Sequence, residues 1–266
     1  MNLALGIVSD EISPDFNEAL RHGSEWRLSI YELRVLRSGR VPAIEPKEFQ
    51  EVLGLVKDRG ATVSALSPGI FKHNLSQKAG INVEINETLP RTIEMAGQLG
   101  TEMIIVFGFQ REAGEPESRV NDWLEYMQRA SEVASKAGVT LAIENEPGFW
   151  ADSGFNTAAL IRRVGTPNLG ANWDPCNGYG TEEQPYPGGY EAVKDVIVNV
   201  HVKDTRKGSL IQCVPVGEGA IDWKGQIAAI VRDRIVNHVT IETHCLPLIE
   251  NSRKNVDTLR SYLRQA

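Results

Sequence analysis

Eight short apolar runs recur along the chain, each followed by a stretch of helical character, and this alternation limits the fold more than any other feature. The runs are Leu3 to Ser9, Leu28 to Leu36, Thr62 to Leu66, Thr101 to Phe107, Val139 to Glu144, Asn168 to Asp174, Val196 to Lys203 and His238 to Glu242. They do not alternate between apolar and polar positions, as expected of strands covered on both faces. Helices are predicted from Ser13 to about His22, Pro46 to Arg59, Gly80 to Leu99, Ser118 to Ala137, Thr157 to Val164, Tyr190 to Asp195, Asp222 to Arg232 and Asn251 to Arg264. Ser13-Pro-Asp reads as a helix start with Pro14 at the first position, and Gly60, Gly100 and Gly138 as helix stops. Alternating βα units imply a parallel sheet with right-handed crossovers. Eight of them point to a closed (β/α)8 barrel, an α/β TIM barrel, rather than an open doubly wound sheet. No GxGxxG follows the first run, which weakens a dinucleotide-binding reading. With no linker, repeat or low-complexity tract, residues 1–266 are expected to form one domain.

Composition serves mainly to exclude. A net charge of −7 argues against a nucleic-acid partner, because a phosphate backbone wants a basic face. No apolar stretch approaches the length of a membrane span, and the N-terminus lacks the basic, then apolar, pattern of a secretion signal. Cys176, Cys213 and Cys245 are odd in number and lack CxxC spacing, which fits a reducing compartment. A cytoplasmic protein acting on a small molecule is therefore expected, with no membrane partner; assembly into a homo-oligomer stays open.

The ends of the later strands carry the chemistry. Leu141-Ala-Ile-Glu144, Leu169-Gly-Ala-Asn-Trp-Asp174, Val196-Ile-Val-Asn-Val-His201 and Val239-Thr-Ile-Glu242 each stop on an ionisable residue. Their spacing in sequence cannot make them local partners. A barrel can, because the C-terminal ends of its strands face one shared mouth. Taken singly, such a carboxylate often just caps a turn or meets a nearby lysine or arginine. Taken together, Glu144, Asp174, His201 and Glu242 make a cluster of charge −3 that would repel itself if left empty. A divalent cation removes the conflict. Hard oxygen ligands with one imidazole suit Mn²⁺ first, then Mg²⁺, with Co²⁺, Fe²⁺ and Zn²⁺ as alternatives.

Five segments, Leu-Ala-Ile-Glu-Asn-Glu146, Asn-Trp-Asp-Pro-Cys-Asn177, His-Val-Lys-Asp204, Gly-Glu-Gly-Ala-Ile-Asp-Trp223 and Thr-Ile-Glu-Thr-His244, resemble the motifs of the xylose isomerase-like barrel superfamily. That superfamily includes sugar isomerases and epimerases of the tagatose 3-epimerase group, hydroxypyruvate isomerases, inosose and 3-dehydroshikimate dehydratases and endonuclease IV. The resemblance runs through nearly the whole chain in strand order and is strongest from Glu144 onward. It implies that Glu144, Asp174, His201 and Glu242 are the metal ligands. It also implies that Glu144 and Glu242 exchange a substrate proton from opposite faces of a carbon while the metal holds the carbonyl and a hydroxyl. One departure stands out. Many members carry a histidine three positions after the strand-six aspartate, where this chain has Asn177, a poor metal ligand. With five histidines in all and an acidic balance, a DNA-repair role is not expected.

The resulting expectation is a metal-dependent isomerase or epimerase of a small, unphosphorylated sugar or hydroxy-carbonyl compound. A dehydratase of the inosose or dehydroshikimate type is the alternative, and a sugar-binding barrel without catalysis the third reading. Asn177, Lys203, Arg206, His73, Glu146 and Trp150 are the candidate substrate contacts. Phe71 and Phe149 are further candidates for the mouth. Glu32 is read either as a group near the substrate or as a buried carboxylate paired with Arg34 or a lysine. Trp173 and Trp223 are read as packing, Gly217-Glu-Gly219 as a turn before a helix, and His244 as a group near the mouth.

Overall fold

The computed structural model describes residues 3–208 and 212–266. Residues 1–2 and residues 209–211, the latter within the excursion expected between Thr205 and Gly219, lie outside the described residues. Eight parallel strands close into a barrel: β1 (Ala4–Val8), β2 (Ile30–Leu33), β3 (Thr62–Leu66), β4 (Met103–Phe107), β5 (Thr140–Glu144), β6 (Leu169–Trp173), β7 (Ile197–Val202) and β8 (His238–Ile241). Each strand pairs with its neighbours in chain order, and β8 returns to β1 with Leu5 opposite Val239. Among the described residues no helix is long and apolar enough to cross a membrane.

The apolar runs are uniform because each strand has two dry faces. On β4, Ile104 and Val106 join the large core under the helices, while Ile105 belongs to a small separate cluster. On β5 the same split puts Leu141 and Ile143 outside and Ala142 with Ile105. The inner cluster, with Ala65 from β3, fills the barrel interior. Glu144 shares the inward side with Ala142, because alternate residues of a strand face the same way. Glycine serves this packing at Gly170, where a Cβ would come within 2.5 Å of a Val198 methyl on the next strand.

Several local expectations need correction. The first helix starts at Phe16, and its cap is Asp15, whose carboxylate accepts the Asn17 and Glu18 N–H groups. The helix read as Gly80 to Leu99 runs from Lys78 and contains a π-helical turn, Glu84–Thr88, just before Pro90. Proline has no N–H to give to the preceding turn, and the wider turn absorbs the mismatch. The run Leu28 to Leu36 is not one strand. Register slips between Tyr31 and Glu32, β2 ends at Leu33, and Val35–Leu36 folds back as a hairpin onto Gly39–Arg40. That hairpin stands beside the barrel mouth and brings Arg40 to it.

Candidate metal centre

Strand register aligns the side chains at the mouth in two successive rows. Glu144 on β5 lies level with Asn172 on β6, Asn172 with Asn199 on β7, and His201 on β7 with Thr240 on β8. Asp174 and Glu242 follow directly after β6 and β8. The four candidate ligands are buried, and one ligand atom from each falls within 4.8 Å of the others. Chain positions that span almost a hundred residues are thus brought to one point.

A further partner aims each of them. Asp174 spends Oδ1 on the short helix Pro175–Gly178, accepting the N–H groups of Cys176 at 2.8 Å and Asn177 at 3.1 Å. The Asn145 side chain locks the Asp174 main chain, accepting its N–H and donating to its carbonyl, both at 2.8 Å. His201 has Nε2 2.9 Å from the Glu32 carboxylate, so Nδ1 is turned to Glu144 and Glu242, 3.6 Å from an oxygen of each. Glu144 accepts from the amides of Asn172 and Asn177. On Glu242, Oε1 accepts from Arg34 at 2.6 Å and lies 3.0 Å from His244 Nε2, while Oε2 accepts from Lys203 at 3.0 Å.

Charge explains the cluster's remaining features. The Lys203 ammonium also sits 2.8 Å from Asp174 Oδ2. Burial disfavours its charge, but Asp174 and Glu242 hold it well above the usual lysine range. Burial likewise works against a charged His201, and the carboxylates of Glu32 and Glu144 overcome it, placing the ring well above the usual histidine range. Glu242 is pushed up by burial and pulled further down by Lys203, His201 and Arg34, ending well below the usual carboxylate range. Of the fifteen buried side-chain atoms without a hydrogen-bond partner among the described residues, two belong to the quartet: His201 Nδ1, and Asp174 Oδ2, which Lys203 approaches off the line of a hydrogen bond. Buried polar atoms are normally satisfied, so these two are free to take a further partner at the point where the quartet converges. Three carboxylate oxygens and one imidazole nitrogen form a donor set of a kind that could hold a divalent cation.

Above the quartet lies a cleft of about 400 Å³ lined by Asp10, Arg34, Val35, Arg40, Ser67, Lys72, Phe107, Glu144, Glu146, Asn177, Lys203, Glu242 and His244. Of the sequence candidates for substrate contact, Asn177, Lys203 and Glu146 line it, Glu146 paired with Lys72 at 3.2 Å. Three others do not. His73 faces away, with Nε2 3.3 Å from Glu84 on the helical run after β3. Trp150 is buried beneath the Arg111 guanidinium, 4.2 Å from its ring. Arg206 is exposed beyond β7. Phe71 and Phe149 are packed into the interior, and the Phe149 ring lies tilted against Phe107. Sequence reasoning missed Asp10, Arg34, Arg40, Ser67, Lys72 and Phe107 as lining groups. Asp10 closes the first strand, and extending the strand-end rule to it would have found it; Arg34 and Arg40 were hidden by the hairpin.

The Lys203-Asp204 pair divides its labour. While Lys203 faces the cleft, Asp204 accepts the backbone N–H groups of Thr205, Gly217, Gly219 and Ile221. The Gly217-Glu-Gly219 segment is therefore clipped down by Asp204, and Trp223 adds a bond from its indole N–H to the Lys203 carbonyl.

With this geometry in hand, the chain was compared with known proteins. The family model described as "Xylose isomerase-like TIM barrel" matches residues 26–265. No curated protein sequence matches. Among solved structures, a D-tagatose 3-epimerase-like protein superimposes with a TM-score of 0.82 at 16% identity, over 99% of this chain and 98% of that one. The probable 3-DHS dehydratase AsbF, involved in petrobactin synthesis in Bacillus anthracis, gives 0.81 at 17% identity over 98% and 99%. The IOLI protein with a bound zinc atom gives 0.81 at 16% identity over 99% of both chains. At such identities these likenesses establish the fold.

Proposed function

The chain belongs to the xylose isomerase-like TIM barrel family, and from that premise we propose that it is a divalent-metal-dependent isomerase or epimerase of a small sugar or hydroxy-carbonyl compound. One observation carries the reading. All four quartet residues converge on one point, but only Glu144 and Glu242 also line the cleft. Asp174 and His201 are shut beneath it, at 0% and 1% exposure, and can only hold an ion. Glu144 and Glu242 can both hold it and reach a substrate. Bound there, the ion would polarise the substrate carbonyl and offset the negative charge that develops when the neighbouring carbon loses its proton. Mn²⁺ suits the ligand set best, and the IOLI protein, which shares this fold, has a bound zinc atom, which supports the reading.

The rest of the chemistry falls to the chain's own side chains. One of the two glutamates removes the proton and the other delivers one to the opposite face, the requirement for inversion at a carbon. The Asn172 and Asn177 amides fix the orientation of Glu144, and Arg34 and His244 that of Glu242. Lys203 and a charged His201 lie among the carboxylates; an ion held by the quartet would share Asp174 and Glu242 with Lys203, which stays paired to them at the cleft wall.

A dehydratase reading shares the first proton transfer. Lys203 favours it, as an ammonium in the cleft beside Glu242, placed to protonate a departing hydroxyl. The test is a panel of ketoses, inososes and hydroxypyruvate in D₂O with Mn²⁺, followed by NMR. The proposal expects deuterium to enter a product that apart from the isotope keeps the substrate's composition; loss of one water would favour the dehydratase. Glu144→Gln and Glu242→Gln should each lower exchange by about 10²- to 10⁴-fold with the fold intact. Wild-type exchange in both would refute the assignment.

A further inference from the structure

We propose that Arg40 binds a carboxylate of the substrate, so that the molecule processed in this cleft is a hydroxy- or keto-acid rather than a neutral sugar. The inference rests on the cleft being the reaction site and adds the class of ligand.

Four cationic side chains line the cleft, and three are already matched. Arg34 bonds to Asp10, Glu11 and Glu242. Lys72 pairs with Glu146 and covers the Phe107 ring at 3.8 Å. Lys203 pairs with Asp174 and Glu242. Of these four, Arg40 alone has no carboxylate in ion-pairing range among the described residues. Its side-chain hydrogen bonds go to one residue: Nε donates to the Ser67 carbonyl at 3.0 Å, and Nη2 reaches Ser67 Oγ at 3.4 Å. A guanidinium has five N–H donors. The Nη1 pair and one on Nη2 are left without a protein acceptor.

The side chain is also held in place. It leaves the Gly39–Arg40 strand of the hairpin, and the loop after β3 packs on it at Gly69, where a Cβ would lie 2.8 Å from Nε. Gly69 has φ +76°, so an added side chain would be strained as well as crowded. Burial and the nearby Arg34 guanidinium both work against the charge of Arg40, so an incoming anion relieves an existing penalty. The free edge of a planar guanidinium matches the two oxygens of a carboxylate. A phosphate shares that anionic chemistry but brings a second charge close to Asp10, Glu144 and Glu242, which lie within electrostatic reach of Arg40.

Calorimetric titration of the Mn²⁺-loaded protein with D-erythronate, erythritol and erythritol 4-phosphate tests this. Erythronate should bind most tightly. Arg40→Gln should weaken erythronate by about 10- to 100-fold, the range of a lost charge-assisted pair, and leave erythritol unaffected. Arg40→Lys should recover part of the loss. Both variants should bind Mn²⁺ like the wild type, which separates loss of the anion contact from misfolding. Equal effects of Arg40→Gln on acid and polyol would overturn the proposal, because the acid would then be held by the ion alone. Preference for the phosphate would overturn the choice of a carboxylate. Failure of the wild type to bind Mn²⁺ would instead defeat the metal-site reading.

Discussion

His201 shows its task by which ring nitrogen is already engaged. With Nε2 facing Glu32 at the far side of the barrel, Nδ1 is the atom left for the quartet. The sequence reveals a histidine at a strand end. It does not reveal the partner, because Glu32 lies 169 positions earlier, on a strand whose register slips at that very residue. Such carboxylate partners typically tune metal affinity, so Glu32→Gln should weaken Mn²⁺ binding by about 10- to 100-fold in a competition titration. Lys203 makes the opposite prediction. It competes with an ion for Asp174 and Glu242, and its removal strands their charges. Lys203→Met should destabilise the metal-free protein by about 3–5 kcal/mol in urea unfolding and increase the stabilisation gained on adding Mn²⁺. A metal-free variant as stable as the wild type would contradict the charge balance described above.

At the level of elements, two devices position the mouth. The first is the Asp204 clip, which explains why Lys-Asp and Gly-Glu-Gly occur together: one carboxylate collects four N–H groups from its own strand end and the following loop. A Cβ on Gly219 would fall 2.1 Å from Asp204 Oδ1, too close to coexist. Gly219→Ala should cost about 2–4 kcal/mol by stranding buried donors. Gly54→Ala, in the helix Pro46–Arg59 with nothing near its Cβ, should instead stabilise by about 0.5–1 kcal/mol. The second device is the hairpin that carries Arg40, gripped by Glu48. The Glu48 carboxylate accepts the Arg37 and Ser38 N–H groups, the Ser38 hydroxyl and the Arg37 guanidinium. Burial raises its pKa, but these bonds outweigh burial and bring it below the ordinary 4.5. A depressed carboxylate stabilises the fold above its unfolded value and loses that contribution as pH falls through the folded one. The stability gap between wild type and Glu48→Gln, about 1–2 kcal/mol at pH 7, should therefore close below pH 4.5. A gap that persisted into acid would mean that packing, not charge, is what the substitution removes.

Across the whole molecule, legibility followed symmetry. Strands β5 to β8 obey one rule, an apolar run ending on a ligand-type residue, and the barrel converts that rule into a shared point in space. The eight-fold alternation and the quartet were therefore readable without coordinates. The opposite wall of the cleft was not, because β2 breaks the pattern. Its register shift and the reversed hairpin set Arg34 and Arg40 at the mouth, whereas a continuous strand would have carried the chain away from it. His73, Trp150 and Arg206 follow strand ends in sequence, but His73 turns to Glu84, Trp150 is buried under Arg111 and Arg206 is exposed beyond β7, and nothing in residue type signals those orientations. The central claim is that the closed barrel exists, chemically, to gather Glu144, Asp174, His201 and Glu242 around one divalent ion. Calorimetric titration of Mn²⁺ into chelator-stripped protein tests it most directly. The account predicts one ion per chain, a thermal stabilisation worth about 4 kcal/mol at a thousandfold excess over Kd, and loss of binding in both Asp174→Asn and His201→Gln. Absence of saturable binding, or binding that survives both substitutions, would contradict it.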